Sequence, residues 1–154
     1  MLSLEYVAGF FDGEGSISIT ECKRGGYVRW DLYASITQLR PEVLQRIQEQ
    51  FGGHLYETLP RATKSGLLHR RWDWKCTARI AANFLRKIQP HLIVKAEEAH
   101  VALNFYHTFP WAKLLRSGTR NGTPQIIIDT RRECIARMKE IRKASKAIAY
   151  EHLE

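Results

Sequence analysis

The chain has 154 residues, with few acids for its bases and almost no sulfur. Its 16 Asp and Glu face 24 Lys and Arg, a formal net charge of +8 that favours a polyanionic partner without deciding the fold. Cys22, Cys76 and Cys134 are odd in number and far apart. They offer neither a disulfide framework nor a CxxC pair, which suits packing in a reducing interior. No segment approaches the roughly 20 consecutive apolar residues of a membrane span, so no membrane partner is expected. The opening MLSLEYVAGFFDGEGS lacks a basic n-region and carries Glu5, Asp12 and Glu14, so neither a secretory signal nor a transit peptide is expected. The common catalytic templates are missing too: there is no GxSxG elbow, no HExxH and no Walker GxxxxGK[ST]. Gly13-x-Gly15 has no preceding strand and no third glycine, so it is no dinucleotide fingerprint. The six histidines lack metal-ligand spacing, and His91, His100 and His107 read as helix-surface or core positions.

What remains is ordinary globular material, 44% hydrophobic and 26% charged, with four Trp, six Tyr and six Phe. A domain of this length buries roughly 68–70% of its unfolded surface and holds a core without staples. Residues 3–13 read as a short apolar helix with Ser3 as N-cap, halted at Gly13-Glu14-Gly15. Ser16 to Thr20 then alternates as a strand with one buried face, and Arg24-Gly25-Gly26-Tyr27 signals a hairpin. Along 28–37, Trp30, Leu32, Ala34 and Ile36 face one way and Arg29, Asp31, Tyr33 and Ser35 the other. After Pro41 a helix carries Val43, Leu44, Ile47 and Phe51 to Gly52-Gly53. A second hairpin spans about 54–59 and 68–76 around a loop with Arg61 and Lys64. One helix through Ile80, Phe84 and Ile88 and another from His91 to about His107 complete the order α-β-β-α-β-β-α.

The chain from Phe109 to Pro124 reads as loop, followed by a helix capped by Asp129 or Thr130 and ending near Tyr150. That helix bears Arg131, Arg132, Arg137, Lys139, Arg142, Lys143 and Lys146 opposite an apolar stripe of Ile135, Met138, Ile141, Ala144 and Ile148. The expectation is an amphipathic helix packed on the body, its basic face either solvated or against phosphate. The domain reading is thus a core over 1–108 and a C-terminal extension over 109–154.

Two hairpins with one apolar and one polar-aromatic face imply an α+β fold: a four-stranded antiparallel sheet, covered by helices on one side and open on the other. The open face would present Ser18, Thr20, Arg29, Asp31, Tyr33, Ser35, Tyr56, Arg71, Asp73 and Lys75, with Arg24 and Arg61 at the hairpin turns. Such a mixture of donors and acceptors suits base edges, and the DNA major groove admits a two-stranded ribbon; a plain solvated face fits the alternation equally well. Glu14, between two glycines at a helix end, is an oxygen ligand of the kind hard cations such as Mg²⁺ take, or simply solvated surface.

The run Val7-Ala8-Gly9-Phe10-Phe11-Asp12-Gly13-Glu14-Gly15 resembles the signature of the LAGLIDADG homing endonucleases, with Ala8-Gly9, Asp12-Gly13 and Glu14-Gly15 in register. The resemblance covers about 3–107, whose element order is that family's αββαββα core, and one motif places the chain beside the homodimeric branch. It implies a site-specific, Mg²⁺-dependent nuclease, with Mn²⁺ as a substitute. Such an enzyme breaks both strands of a long pseudo-palindromic DNA target in intron homing. It implies Glu14 as catalytic acid and, with the Gly13 carbonyl, metal ligand. Gln38 would organise water and Lys95 would stand near the scissile phosphate. Ala8, Gly9, Asp12 and Gly13 would form the dimer interface. An RNA-splicing maturase or a non-catalytic DNA-binding regulator on the same fold is the alternative, so RNA stays open as a partner. An organelle (chloroplast or mitochondrion) or a prokaryotic cytoplasm would both suit such a protein. The chain departs from the family in having Glu14 where Asp is commoner and Glu42 where a base is usual. A one-residue slip of the second hairpin would exchange Arg71, Asp73 and Lys75 with Trp72 and Trp74.

Overall fold

The structure is a computed structural model that describes residues 1–24, 27–58, 70–116 and 123–151, excluding the side chains of 24, 27, 110–116, 146 and 148–151. It divides into two compact units, Met1–Ala96 and Glu97–Glu154. The division falls at the head of a helix.

In the first unit, α1 (Leu4–Glu14) begins where the Ser3 hydroxyl accepts the Tyr6 N–H and buries Val7, Ala8 and Phe11. The chain passes directly into β1 (Gly15–Arg24), pairs back as β2 (Tyr27–Gln38), and forms α2 (Glu42–Phe51). Gly52 and Gly53, at φ +79° and +94°, turn it into β3 (His54–Thr58). No side chain is tolerated easily at Gly53, where a Cβ would lie 2.9 Å from the Lys75 carbonyl. β4 (Arg71–Thr77), α3 (Ala78–Ile88) and a 3₁₀ turn at Gln89–His91 follow. The antiparallel sheet has the order β1-β2-β4-β3, so the two hairpins join through β2 and β4.

The register of the second hairpin is that of the alternation: Ile36 pairs with Trp74, Ala34 with Cys76 and Ser35 with Lys75. Trp74 and Cys76 are therefore in the core, and Arg71, Asp73 and Lys75 are on the open side. The buried face of the sheet carries Ile17, Leu32, Ala34, Ile36 and Trp74. Phe84 of α3 is the centre of an aromatic cluster, edge-on to Phe11, Phe51 and Trp74 at centroid separations of 5.2, 5.1 and 4.9 Å. Edge-to-face pairs of this kind add about 0.5–1.5 kcal/mol each beyond the area they bury.

The second unit holds two antiparallel helices. α4 (Ala96–Arg116) starts later than the expected His91, because Gln89–His91 tightens into the 3₁₀ turn, and runs past the expected end at His107. The expected loop from 109 is helix as far as 116. α5 (Gln125–Glu151) likewise begins before Asp129, because the Pro124 carbonyl accepts the Ile127 and Ile128 N–H groups. Arg137 pairs with Glu97, and Arg142 with Glu98 at 3.2 Å, so part of the basic face of α5 is neutralised within its own unit. Arg131 is buried, donating from Nε to the Thr108 hydroxyl at 2.8 Å, with its guanidinium 4.4 Å from the Phe109 ring centroid. No described helix is long and apolar enough to cross a membrane.

Candidate active site and nucleic-acid interface

The C-terminal end of α1 collects the expected catalytic residues. Gly15 accepts no side chain, since a Cβ there would meet the Phe11 ring at 2.3 Å, and its N–H closes the last turn on the Phe11 carbonyl. Glu14 is thereby fixed at the junction of helix and strand. It is exposed, and no described residue pairs with its carboxylate.

Lys95 lies in the segment before α4, and Asp12 binds that segment. The Asp12 carboxylate accepts the Ile93 N–H at 2.7 Å and the Lys95 N–H at 2.8 Å, while the Lys95 ammonium donates to the Asp12 carbonyl. Lys95 is thus held two residues from Glu14 along the helix. Gln38 ends β2 two residues beyond Ile36, the partner of Gly15, which brings it to the same end of the helix. Lys95 is therefore tied to the helix end that carries Glu14, and the strand register puts Gln38 at the corresponding end of β2.

The expected dimer-interface residues separate into two groups. Gly9 and Gly13 are exposed, and a Cβ built on either meets nothing within 4 Å. With Tyr6 and Phe10, whose rings stack at 6.2 Å, they make an open stripe at helical spacing. Exposed Ile93 and Val94 follow in the segment that Asp12 binds. Ala8 is a correction: it is fully buried within its own chain, because it falls on the sheet-facing side of α1 beside Val7 and Phe11. Asp12 is half-buried, and both its carboxylate oxygens accept hydrogen bonds from its own chain.

The open sheet face carries Ser18, Thr20, Arg29, Asp31, Tyr33, Ser35, Tyr56, Arg71, Asp73 and Lys75 on one side, as the strand register requires. Arg24 pairs with Tyr27 at the hairpin end, its side chain outside the described residues, as is all of Arg61. The Thr20 hydroxyl bonds the Tyr33 hydroxyl at 2.7 Å, and the Lys75 ammonium stands 4.0 Å above the Tyr33 ring. Arg29 pairs with Asp31 at 2.9 Å. Thr37 and Thr58 both donate to Asp73, which lies 3.7 Å from Arg71. Thr37 and Thr58 lie outside the expected set on this face, although both continue the alternation of Ser35 and Tyr56.

Among the described residues no three His, Cys, Asp or Glu side chains gather into a metal cluster. Among the described residues the site offers one open carboxylate, Glu14, which with the Gly13 carbonyl at the end of α1 supplies oxygen donors of the kind a hard divalent cation takes, while the Lys95 ammonium occupies the Asp12 carbonyl.

The fold, helices on one side of a four-stranded antiparallel sheet, is shared with solved LAGLIDADG homing endonucleases. An archaeal intron-encoded homing endonuclease, I-Vdi141I, solved with DNA, is similar at TM-score 0.68 and 20% identity, over 90% of this chain and 82% of that one. The homing endonuclease I-CvuI, solved with its target in the presence of Ca, is similar at 0.57 and 19% over 88% and 94%. The LAGLIDADG homing endonuclease I-GzeII with its DNA target gives 0.58 and 16%, over 92% of this chain but 44% of that one. No protein-family model and no curated protein matches the chain.

Proposed function

We propose that the protein is a site-specific DNA endonuclease that acts as a homodimer and makes a divalent-metal-dependent double-strand break. One observation carries the reading: the exposed carboxylate of Glu14, which no described residue engages, ends the helix that leads into a sheet with a polar open face, and Asp12 ties Lys95 to that same helix end. The DNA-bound state of the structural neighbours supports the substrate class. Homodimer formation is supported by the open Tyr6-Gly9-Phe10-Gly13 stripe, which lets a second α1 approach closely, and by the single acid per chain.

In this reading the sheet face lies in the major groove, and two copies related by a dyad read a long, nearly palindromic target. Glu14 and the Gly13 carbonyl would hold the cation. A divalent ion bound there supplies Lewis-acid activation of water and charge neutralisation at phosphorus, with Mg²⁺ the physiological choice and Mn²⁺ a substitute. The Gln38 amide orients the attacking water. Lys95, kept at the helix end by Asp12, offsets the charge that grows on the phosphate oxygens. The water oxygen bonds to phosphorus and gives up a proton to solvent, while the bond to the 3′ oxygen breaks and that oxygen takes up a proton, so no covalent enzyme intermediate is needed.

The decisive comparison is Glu14→Gln against wild type on the duplex flanking the gene's insertion site, with Mg²⁺ or with EDTA. The expected outcome is loss of cleavage by about a thousandfold or more with binding retained. Wild-type protein that binds this duplex and never cuts it would point to the regulator or maturase reading.

A further inference from the structure

Thr37, Thr58 and Asp73 come from three neighbouring strands, β2, β3 and β4, and meet on the open face. Both threonine hydroxyls donate to the one carboxylate, and the Asp73 side chain is only 14% exposed. A threonine has one O–H and two lone pairs. Once its hydrogen is committed to Asp73, the only thing it can show a ligand is an acceptor.

We propose that this clasp is a specificity element in which Thr37 and Thr58, not Asp73, face the bases, and in which Asp73 sets them as acceptors. The inference rests on the DNA-endonuclease reading and deepens it. In the major groove only cytosine N4 and adenine N6 present donors, whereas guanine and thymine present acceptors. The clasp therefore selects cytosine or adenine on the strand it contacts and rejects guanine or thymine, whose acceptors would meet acceptors. Its place in the target follows from the register. Thr37 is one residue beyond Ile36, the partner of Gly15, so it belongs to the catalytic end of the sheet. Arg29, eight residues away on the same strand, is about 26 Å from it, or roughly eight base steps. The clasp reads bases beside the scissile phosphates, and the Arg29 end reads the outer bases.

The test is selection from a randomised duplex library with the full chain carrying Glu14→Gln, so that bound duplex is not cut, alone and combined with Thr37→Val, Thr58→Val, Thr37→Ser or Asp73→Asn. Selection without the clasp substitutions should give cytosine or adenine at the inner positions. Each valine variant should lose about fivefold of that preference while the outer positions stay unchanged, and Thr37→Ser should keep it. Asp73→Asn should admit guanine or thymine at the same positions, because a released hydroxyl can donate. Should Asp73→Asn fail to fold, Thr37→Val decides alone, since it alters an exposed side chain. A selected duplex with guanine or thymine at those positions, or a preference unchanged in both valine variants, overturns the inference and leaves the DNA reading intact. If no duplex is selected over competitor, the DNA reading itself fails and this inference with it.

Discussion

Two carboxylates stand two residues apart at the end of α1 and take opposite roles. Asp12 is a structural acceptor for the Ile93 and Lys95 N–H groups, and Glu14 is left open to ligands. Asp12→Ala should lower stability by about 1–3 kcal/mol, the range for hydrogen bonds to a charged group, because two N–H groups lose their acceptor. It should also slow single-turnover cleavage more than it weakens DNA binding, since the backbone of Lys95 loses the carboxylate that holds it and only the bond from its ammonium to the residue-12 carbonyl remains; a denaturant midpoint together with a cleavage time course reads both. Asp12→Asn, which keeps one acceptor oxygen, should fall between. Cysteine chemistry separates in the same way. Burial pushes the Cys76 thiol from 9.0 up to about 12 and raises Cys134 as well, while Cys22 is exposed on β1. A thiol reagent at neutral pH should label Cys22 readily and Cys76 only after unfolding. The folded thiol of Cys76 stays protonated where the unfolded one ionises. Its contribution to stability is therefore complete below pH 9 and declines as pH rises from there through about 12.

Helices and strands were unequally legible. Strand alternation identified both faces of the sheet, because pleating sends successive side chains to opposite sides whatever the neighbours. The helix ends were harder. The chain from Phe109 read as loop, yet α4 continues to Arg116 through Pro110: a proline removes one backbone hydrogen bond without abolishing the helix. Asp129 and Thr130 looked like caps but are spoken for inside α5, Asp129 by the Gln125 amide and Thr130 by the Ile126 carbonyl. The two sides of α1 differ sharply in what they tolerate. Gly9 has open space around it, so Gly9→Leu should leave the single chain folded, and even gain up to about 1 kcal/mol of helix propensity. It should block close approach of a second α1. Sedimentation is expected to show wild type as a dimer and the variant as a monomer with native helix content; a variant that stays fully dimeric would remove α1 from the interface.

For the whole molecule, charge and copy number act together. One chain carries +8, and the proposed dimer would spread twice that along a duplex. The logarithm of the DNA association constant should therefore fall steeply with the logarithm of salt concentration, by about 0.9 per phosphate neutralised. A fluorescence titration at several salt concentrations checks this, and a flat response would exclude extensive phosphate contact. Pairing of Arg137 and Arg142 with Glu97 and Glu98 leaves less free charge on α5 than its composition suggests, so the sheet face should dominate that slope. Sequence alone determined the order of elements, the two faces of the sheet and the motif with its acid. All of these follow from periodicity and local backbone geometry, which neighbouring residues settle among themselves. Only the tertiary structure decided that Asp12 ties down Lys95, that Ala8 belongs to the core and Gly9 to the surface, and that Asp73 joins Thr37 and Thr58. Those outcomes depend on which distant segments meet, 81 to 83 residues apart for Asp12, and no local pattern carries that information.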